Sequence, residues 1–411
     1  MLKQSNILYP QYVKDFSCIG QKCEDTCCKG WVIDIDKSTY KKYKLLNRKH
    51  ELKATLDKNI IRNRKSKIDS FYAKVKLKEN GNCPLLDKEN LCSVQKQLGE
   101  DYLSSTCKVY PRSINRVDDR VEVSLSMSCP EAARLGLLKS NLMIFDEKED
   151  VEEINKLARR KVTTVGKKED NINFYFWDLR VFSIGLMQNR NYSISERLIL
   201  LGMFYNKLQT LIVKGDFNKI PNLINDTNEN IIQKNDKEGF KKIPTSIEIQ
   251  VNLTKSILEA KLGITNERFL KCLEELRVGL NNSEVVGEDT KIIKSYQENF
   301  TNFYQPFMED NEYIIENYLV NYIYKELFPL NQGLEVFKAY SLLTVHFSII
   351  KLILIGVSGY HEGLSEEIVI RVIQSYSRTI EHNGIFLRKV LKELEEKGYL
   401  SMGYMAILLK N

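Results

Sequence analysis

The chain has 411 residues, enough for two or three domains with cores of their own. Hydrophobic residues make up 43% and charged residues 28%, ordinary values for a soluble globular protein, and with only 8 prolines long disordered linkers are not expected. The net charge of +7 is uneven: residues 41–80 hold 14 Lys or Arg against 4 Asp or Glu, a net of +10, so the remainder is about −3. That basic run reads as a solvated helix and loop, or as a docking surface for an acidic partner. It offers only Tyr43, Phe71 and Tyr72 for stacking and contains no binding motif, so nucleic acid is not an expected partner.

Met1 to Pro10 is polar and has no apolar secretory core, so a cytoplasmic protein with reduced thiols is expected. Two alternating segments, Tyr72–Lys78 and Val121–Leu125, predict short strands. Beyond residue 135 the pattern turns helical. Asn173–Gln188 is aromatic and apolar, and Ser193 with Glu196 forms a capping box for a helix to about Val213. Pro221 and the Asn-rich run to Asn235 read as loop. Thr245 with Glu248 opens a helix to about Leu262, Thr265 caps one to about Leu280, and Asn281–Asp289 reads as a turn. Tyr313–Phe328 is helical up to Pro329. Phe337–Val357 is the most apolar stretch. Lys338, His346 and Lys351 interrupt it, so a buried core helix is expected rather than a membrane span. Ser365 caps a helix to about His382, Gly384 stops it, and Phe386–Lys397 forms another. The expected fold is mainly α, with a cysteine-rich metal-binding region over 1–135 carrying a few short strands and a helical domain over 136–411.

Eight of the nine cysteines fall between Cys18 and Cys129; the ninth, Cys272, reads as a buried small hydrophobe. The eight are Cys18, Cys23, Cys27, Cys28, Cys83, Cys92, Cys107 and Cys129, spaced C-x4-C-x3-C-C, then C-x8-C-x14-C-x21-C. Disulfides suit small secreted domains, and unrelated buried thiols would not cluster, so metal binding is the expectation. Zinc sites favour paired C-x2-C knuckles and often include His, whereas here no C-x2-C occurs and His50 is the only local His. All-thiolate ligation at irregular spacing suits an iron–sulfur cluster, with zinc the alternative. The eight thiols suit two centres, or one cluster with accessory thiols. Cys27 and Cys28 diverge and are expected to reach different irons or different centres. Lys22, Lys29, Lys108 and Arg112 lie close in sequence and would offset an anionic cluster, or are simply solvated.

Several segments carry a family likeness: Cys27-Cys28-Lys29-Gly30-Trp31, Cys83-Pro84-Leu85, Cys107-Lys108-Val109-Tyr110-Pro111-Arg112 and Ser128-Cys129-Pro130-Glu131 in the first third. Phe176-Trp177-Asp178-Leu179-Arg180, Gln188–Tyr192, Val372–Arg378 and Tyr404–Asn411 extend it to the end. The cysteine elements resemble the zinc- or iron-chelating cysteine-cluster family. The whole chain more closely resembles the bacterial flagellin lysine-N-methylase family. That resemblance implies methyl transfer from S-adenosylmethionine to lysine side chains of flagellin, with a 4Fe-4S type cluster in the enzyme. The competing expectation is a metal-binding or redox module without methyl transfer.

A lysine amine has a pKa near 10.4 and must lose a proton before it attacks. Tyr110 and Glu131, each within three residues of a cysteine, are the candidate catalytic bases; packing and helix capping are their ordinary alternatives. No Gly-rich dinucleotide loop and no C-x3-C-x2-C triad occurs, so the cofactor-binding residues are unassigned. Trp31 reads as a wall of the site or as core, and Trp177, His346, His361 and His382 as core or surface.

Overall fold

Capping residues set the helix starts. The Ser193 hydroxyl accepts from the Glu196 N–H while the Glu196 carboxylate accepts from Ser193 N–H, and the helix Ile194–Lys214 follows, closing at Gly215 in the left-handed region (φ 75°). Ser365 begins Glu366–Tyr376 in the same manner, and Asn266 begins Glu267–Gly279. The computed structural model describes residues 6–149, 157–158, 160–233, 237–250, 266–281, 289–330 and 333–410. These are mainly helical. Thr265 and most of the two segments 245–262 and 281–289 lie outside the described residues, although Ile247–Gln250 is helical.

Strands are β1 (Asn6–Pro10), β2 (Asp34–Ile35), β3 (Ile60–Arg62), β4 (Ala73–Val75), β5 (Arg112–Val117), β6 (Arg120–Leu125), β7 (Phe145–Glu149) and β8 (Arg160–Val162). One sheet runs β7-β1-β6-β5-β8, with β1 parallel to β6 in the register Ile7↔Val121. It joins residues on both sides of position 135. A smaller sheet, β2-β4-β3, sits under the helices Lys37–Leu45 and Glu51–Asn59. The expected strand Val121–Leu125 lies within β6, whereas of Tyr72–Lys78 only β4 pairs.

Two expectations are corrected. Residues 221–233 do not form a loop: Ile220–Gln233 is helical, and the last two residues of the expected loop lie outside the described residues. Pro221 sits in the first turn, where its missing N–H costs nothing, and Ile220, Leu223, Ile224 and Ile231 face the main core. Gly384 does not stop a helix but starts one, Gly384–Glu396, because the Asn383 side chain accepts from Phe386 N–H.

The main core is built around Val336–His361. It is the one described helix long and apolar enough to cross a membrane, and 94% of its most apolar window is buried inside the protein. It meets Glu267–Gly279 at two glycines, where a Cβ on Gly279 would lie 1.9 Å from the Gly356 carbonyl oxygen. Only Gly permits that approach. The same core takes in Tyr12, Leu125, Met127 and the helix Pro130–Leu137. Polar ties reinforce this junction: Asn321 donates to the Leu125 carbonyl (3.2 Å), Asn115 to that of Lys325 (2.7 Å), and Tyr324 to that of Leu8 (2.6 Å). The large sheet is thereby fastened to the helices, which places the cysteine segments against Glu366–Tyr376 and the turn beyond it.

Candidate metal centre and the adjoining cleft

Local backbone pairing brings the thiols together. Cys83 N–H donates to the Cys28 carbonyl (2.8 Å) and Gly30 N–H to that of Gly81 (3.0 Å), so residues 28–30 run antiparallel to 81–83. Gly30 and Gly81 both adopt positive φ, 80° and 79°, to allow the crossing. Asp87 accepts from the N–H groups of Glu89 and Leu91, folding the segment after Cys83 back so that Leu86 pairs with Cys92. Cys92 then leads into the helix Ser93–Leu98. Cys107 lies in the short helix Ser105–Val109, whose cap Ser104 accepts from its N–H at 3.3 Å. Cys28, Cys83, Cys92 and Cys107 all pack on one apolar cluster with Ile33, Tyr43 and Val75.

Cys18, Cys23, Cys27 and Cys129 are not members of that cluster, although Cys27 adjoins Cys28 within it. A turn over Gly20–Lys22 joins Cys18 to Cys23. Cys129 precedes the helix Pro130–Leu137 and packs against the main core. Arg134 on that helix pairs with Glu24, next to Cys23. Gln374 donates to both Asp25 (2.8 Å) and the Ser128 carbonyl (2.9 Å), and Arg378 pairs with Asp25 (2.8 Å) and donates to the Lys29 carbonyl (2.6 Å). One face of the helical body thus clamps the loop 23–29 against Cys129.

All nine cysteines are free thiols. Cys27 Sγ and Cys28 Sγ are 4.0 Å apart. Among the described residues, no three His, Cys, Asp or Glu side chains stand close enough to hold a single metal ion. Burial pushes Cys83 up to about 11 and Cys107 and Cys129 up to about 12, with neighbouring thiols adding to it. Backbone N–H groups of Gln95 and Val94 partly relieve Cys92, and those of Ala132 and Glu131 relieve Cys129. The hydrogen bond from Cys28, helped by the Arg378 charge, brings Cys27 down to about 7, and the same contact pushes Cys28 up. Such crowded, desolvated thiols ionise readily only beside a cation.

A cleft of about 420 Å³ opens beside this region. The cysteine lobe supplies Trp31, Tyr110 and Ser128, and the helical body Lys325, Glu326, Arg378 and His382; Arg160 of β8 completes the charged wall. Trp31 donates from Nε1 to the Cys27 carbonyl (2.6 Å), and its ring lies 5.7 Å from that of Tyr110. Tyr110 Oη is 3.1 Å from Ser128 Oγ, and His382 Nε2 lies 3.0 Å from Ser126 Oγ and 3.1 Å from Ser128 Oγ. Burial keeps the Tyr110 phenol protonated and lowers His382, so the imidazole is neutral. Beneath the wall, Lys325 pairs with Glu381 and, at 3.0 Å, with Glu326, while Arg160 pairs with Glu326.

Tyr110 therefore lines the cleft, whereas Glu131 is not among its lining residues and pairs with Arg134 at 3.0 Å. Cys272 lies elsewhere, buried 3.6 Å from Ser375 Oγ. Sequence reading did not single out Gln374, Arg378, Lys325 or Glu381, and took His382 for core or surface. The available signal was the i, i+4 spacing of Gln374 and Arg378 within the family-like segment Val372–Arg378.

A cysteine-rich lobe is clamped onto a helical body, with a charged cleft at their junction. The chain belongs to the FliB lysine N-methylase family: the family's C-terminal domain profile matches residues 180–408. It is 25% identical over 405 residues to proteins named lysine-N-methylase from Salmonella choleraesuis (strain SC-B67) and Salmonella typhimurium (strain LT2), covering 96% of this chain and 96% of each relative. It is 40% identical over 148 residues to the flagellar biosynthetic protein FliU of Salmonella muenchen, covering 36% of this chain and 86% of that one. No solved structure is a significant match.

Proposed function

We propose that this chain is an S-adenosylmethionine-dependent methyltransferase acting on lysine side chains of flagellin, with an iron–sulfur cluster held by the cysteine lobe. The carrying observation is the cleft itself: aromatic and hydroxyl groups from the cysteine lobe face a buried Lys325–Glu326–Glu381 network and a neutral His382, in a chain akin to lysine-N-methylases along its length. The donor types are those of a thiolate-bound metal, eight free thiols on neighbouring loops, several of them with N–H groups aimed at sulfur, while among the described residues no three metal-ligating side chains converge on one point. Zinc gathers its thiolates on one ion, whereas an iron–sulfur cluster spreads them over a larger core, which suits thiols drawn from several loops. The cytoplasm, where thiols stay reduced, is the compartment this chemistry needs.

The bound methyl donor supplies an electrophilic methyl group, and a cluster supplies a metal-centred Lewis acid or redox group. The rest falls to the chain. His382, neutral because burial disfavours its charged form, takes the ammonium proton at Nε2 through Ser128. Tyr110, protonated and bonded to Ser128, holds that serine in place. Arg160 and Arg378 give the same cleft a cationic side suited to a carboxylate. Glu131 acts at a distance, through Arg134, to steady the helix that begins after Cys129.

Co-expression with flagellin followed by mass spectrometry of its lysines tests the reading. Methylated lysines that disappear with His382→Gln are expected. Unmodified flagellin beside metal-loaded protein would favour a metal-binding or redox module instead.

A further inference from the structure

The small sheet β2-β4-β3 has an inner and an outer face. Ile35, Ala73, Val75 and Ile60 pack inward with the cysteine segments. By alternation the outer face carries Asp34, Lys74 and Ile61, which stand opposite one another in register. Val32 and Lys76, each two residues along its chain, extend that face and are exposed. Val32 also lines the cleft, and Val75 N–H donates to the Ile33 carbonyl (2.9 Å), so strand pairing continues to the cleft's edge. Two strand spacings, about 10 Å, separate that edge from β3. Beyond β3 the connection 63–72, closed by Asn63 N–H on the Tyr72 carbonyl (3.0 Å), adds exposed Ile68 and Phe71.

This surface is strongly basic. Residues 60–78 hold 7 Lys or Arg and one acid, Asp69, which pairs with Lys37 at 3.3 Å. Arg62 lies on the Tyr72 ring, 3.3 Å from its centroid. Arg64, Lys65, Lys67, Lys74, Lys76 and Lys78 are exposed and form no ion pair among the described residues. The stacking groups that nucleic acid needs are taken: Tyr43 is buried with its hydroxyl on the Tyr102 carbonyl (2.7 Å), and Arg62 and Tyr40 cover Tyr72. Val32 and Ile61 lie on a sheet face, not on a projecting edge that would enter a bilayer. The face borders the cleft, which favours a ligand that spans both. We propose that the outer face of this sheet, with its hairpin, docks an acidic segment of the protein substrate while a nearby lysine enters the cleft. The lysines and arginines match its carboxylates, and Ile61, Ile68 and Phe71 take apolar residues between them. The proposal rests on the protein-substrate part of the proposed function. It supplies what a cleft of about 420 Å³ does not, recognition of a protein rather than of one side chain.

The test is binding of purified flagellin monomer to the full-length protein, with methylation kinetics as a second readout and circular dichroism to confirm folding. Lys65→Glu/Lys67→Glu should weaken binding ~10-fold, and the wild-type affinity should fall as salt rises above about 0.1 M. Lys167→Glu/Lys168→Glu, the same charge change at exposed positions beyond β8, should leave it unaltered. Ile61→Ser/Ile68→Ser should weaken binding ~5-fold and keep the salt dependence. In turnover, Lys65→Glu/Lys67→Glu should raise KM for flagellin and preserve kcat. Wild-type affinity in either hairpin variant, or an equal loss in Lys167→Glu/Lys168→Glu, overturns the proposal. So does wild-type protein that binds no flagellin, or one that holds phosphatidylserine vesicles or duplex DNA more tightly through the same lysines. Flagellin that binds as expected but is never methylated sinks the methylation reading and leaves the docking surface standing. Flagellin that is methylated, with binding indifferent to the hairpin, does the reverse.

Discussion

Replacing Lys325 by Met strands two carboxylates in the interior. The Lys325 and Glu381 side chains are each 4% exposed and that of Glu326 is 9%, and Arg160 remains for Glu326 alone. Removing one member of a buried ion pair costs about 3–5 kcal/mol. The titration of Glu381 gives a similar figure. Burial would raise its carboxyl, yet Lys325 holds it down from 4.5 to about 2. A depressed acid contributes its stability above the unfolded pKa and loses it as pH falls, here about 3 kcal/mol between pH 4.5 and 2. Without Lys325 the Glu381 carboxyl rises and takes a proton near neutrality, so the variant's deficit should shrink from pH 7 to pH 5. Loss of the Lys325 charge also raises His382, which acts in the same direction. Urea unfolding followed by circular dichroism at pH 7 and pH 5 measures both. A deficit below about 1 kcal/mol at pH 7, as an exposed pair would give, refutes the reasoning. So does a deficit that does not change with pH.

Gly279→Ala drives a methyl group into the Gly356 carbonyl and should lower stability by at least about 1–3 kcal/mol, read as a fall in Tm; an unchanged Tm would mean the helices are not in contact there. Burial lowers His346 to about 4, so the unfolded chain binds a proton that the folded one refuses. Stability should therefore drop by about 3 kcal/mol from this group as pH falls from 6.5 to 4, and His346→Asn should flatten that slope in acid titration. His382→Gln should cut methyl transfer ~100-fold or more while leaving metal content at the wild-type value, and a matching loss of metal would assign His382 to structure instead. Cys272→Ala, whose thiol is buried beside Ser375, should change neither metal content nor methylation; reduced metal would place Cys272 among the ligands.

Local chemistry made the helices legible. Ser193 with Glu196, Ser365 and the apolar run after Phe337 each carry their signal within a few residues. The Pro221 segment misled because a proline in the first helical turn reads the same as one in a loop, and only the packing of Ile220 and Ile231 on the core separates them. Strands β1, β7 and β8 are stabilised by pairing with residues more than 40 positions away, and β7, Phe-Asp-Glu-Lys-Glu, has no alternation to announce it. The site divides similarly. Cysteine clustering along the chain announced the thiol region, but that Cys28, Cys83, Cys92 and Cys107 pack with Ile33 and Tyr43 while Cys129 packs on the main core emerges only from the tertiary contacts. Gln374, Arg378 and His382 reach the cysteine loops across some 250 to 350 residues, so no local pattern marks them.

The most direct measurement incubates flagellin with anaerobically purified full-length protein and S-adenosylmethionine labelled at its methyl group, then locates the label by mass spectrometry. Label on flagellin lysine side chains is the expected result, present with Cys272→Ala and absent with His382→Gln. Flagellin left unlabelled by metal-replete, folded protein would contradict the assignment of this cleft to lysine methylation.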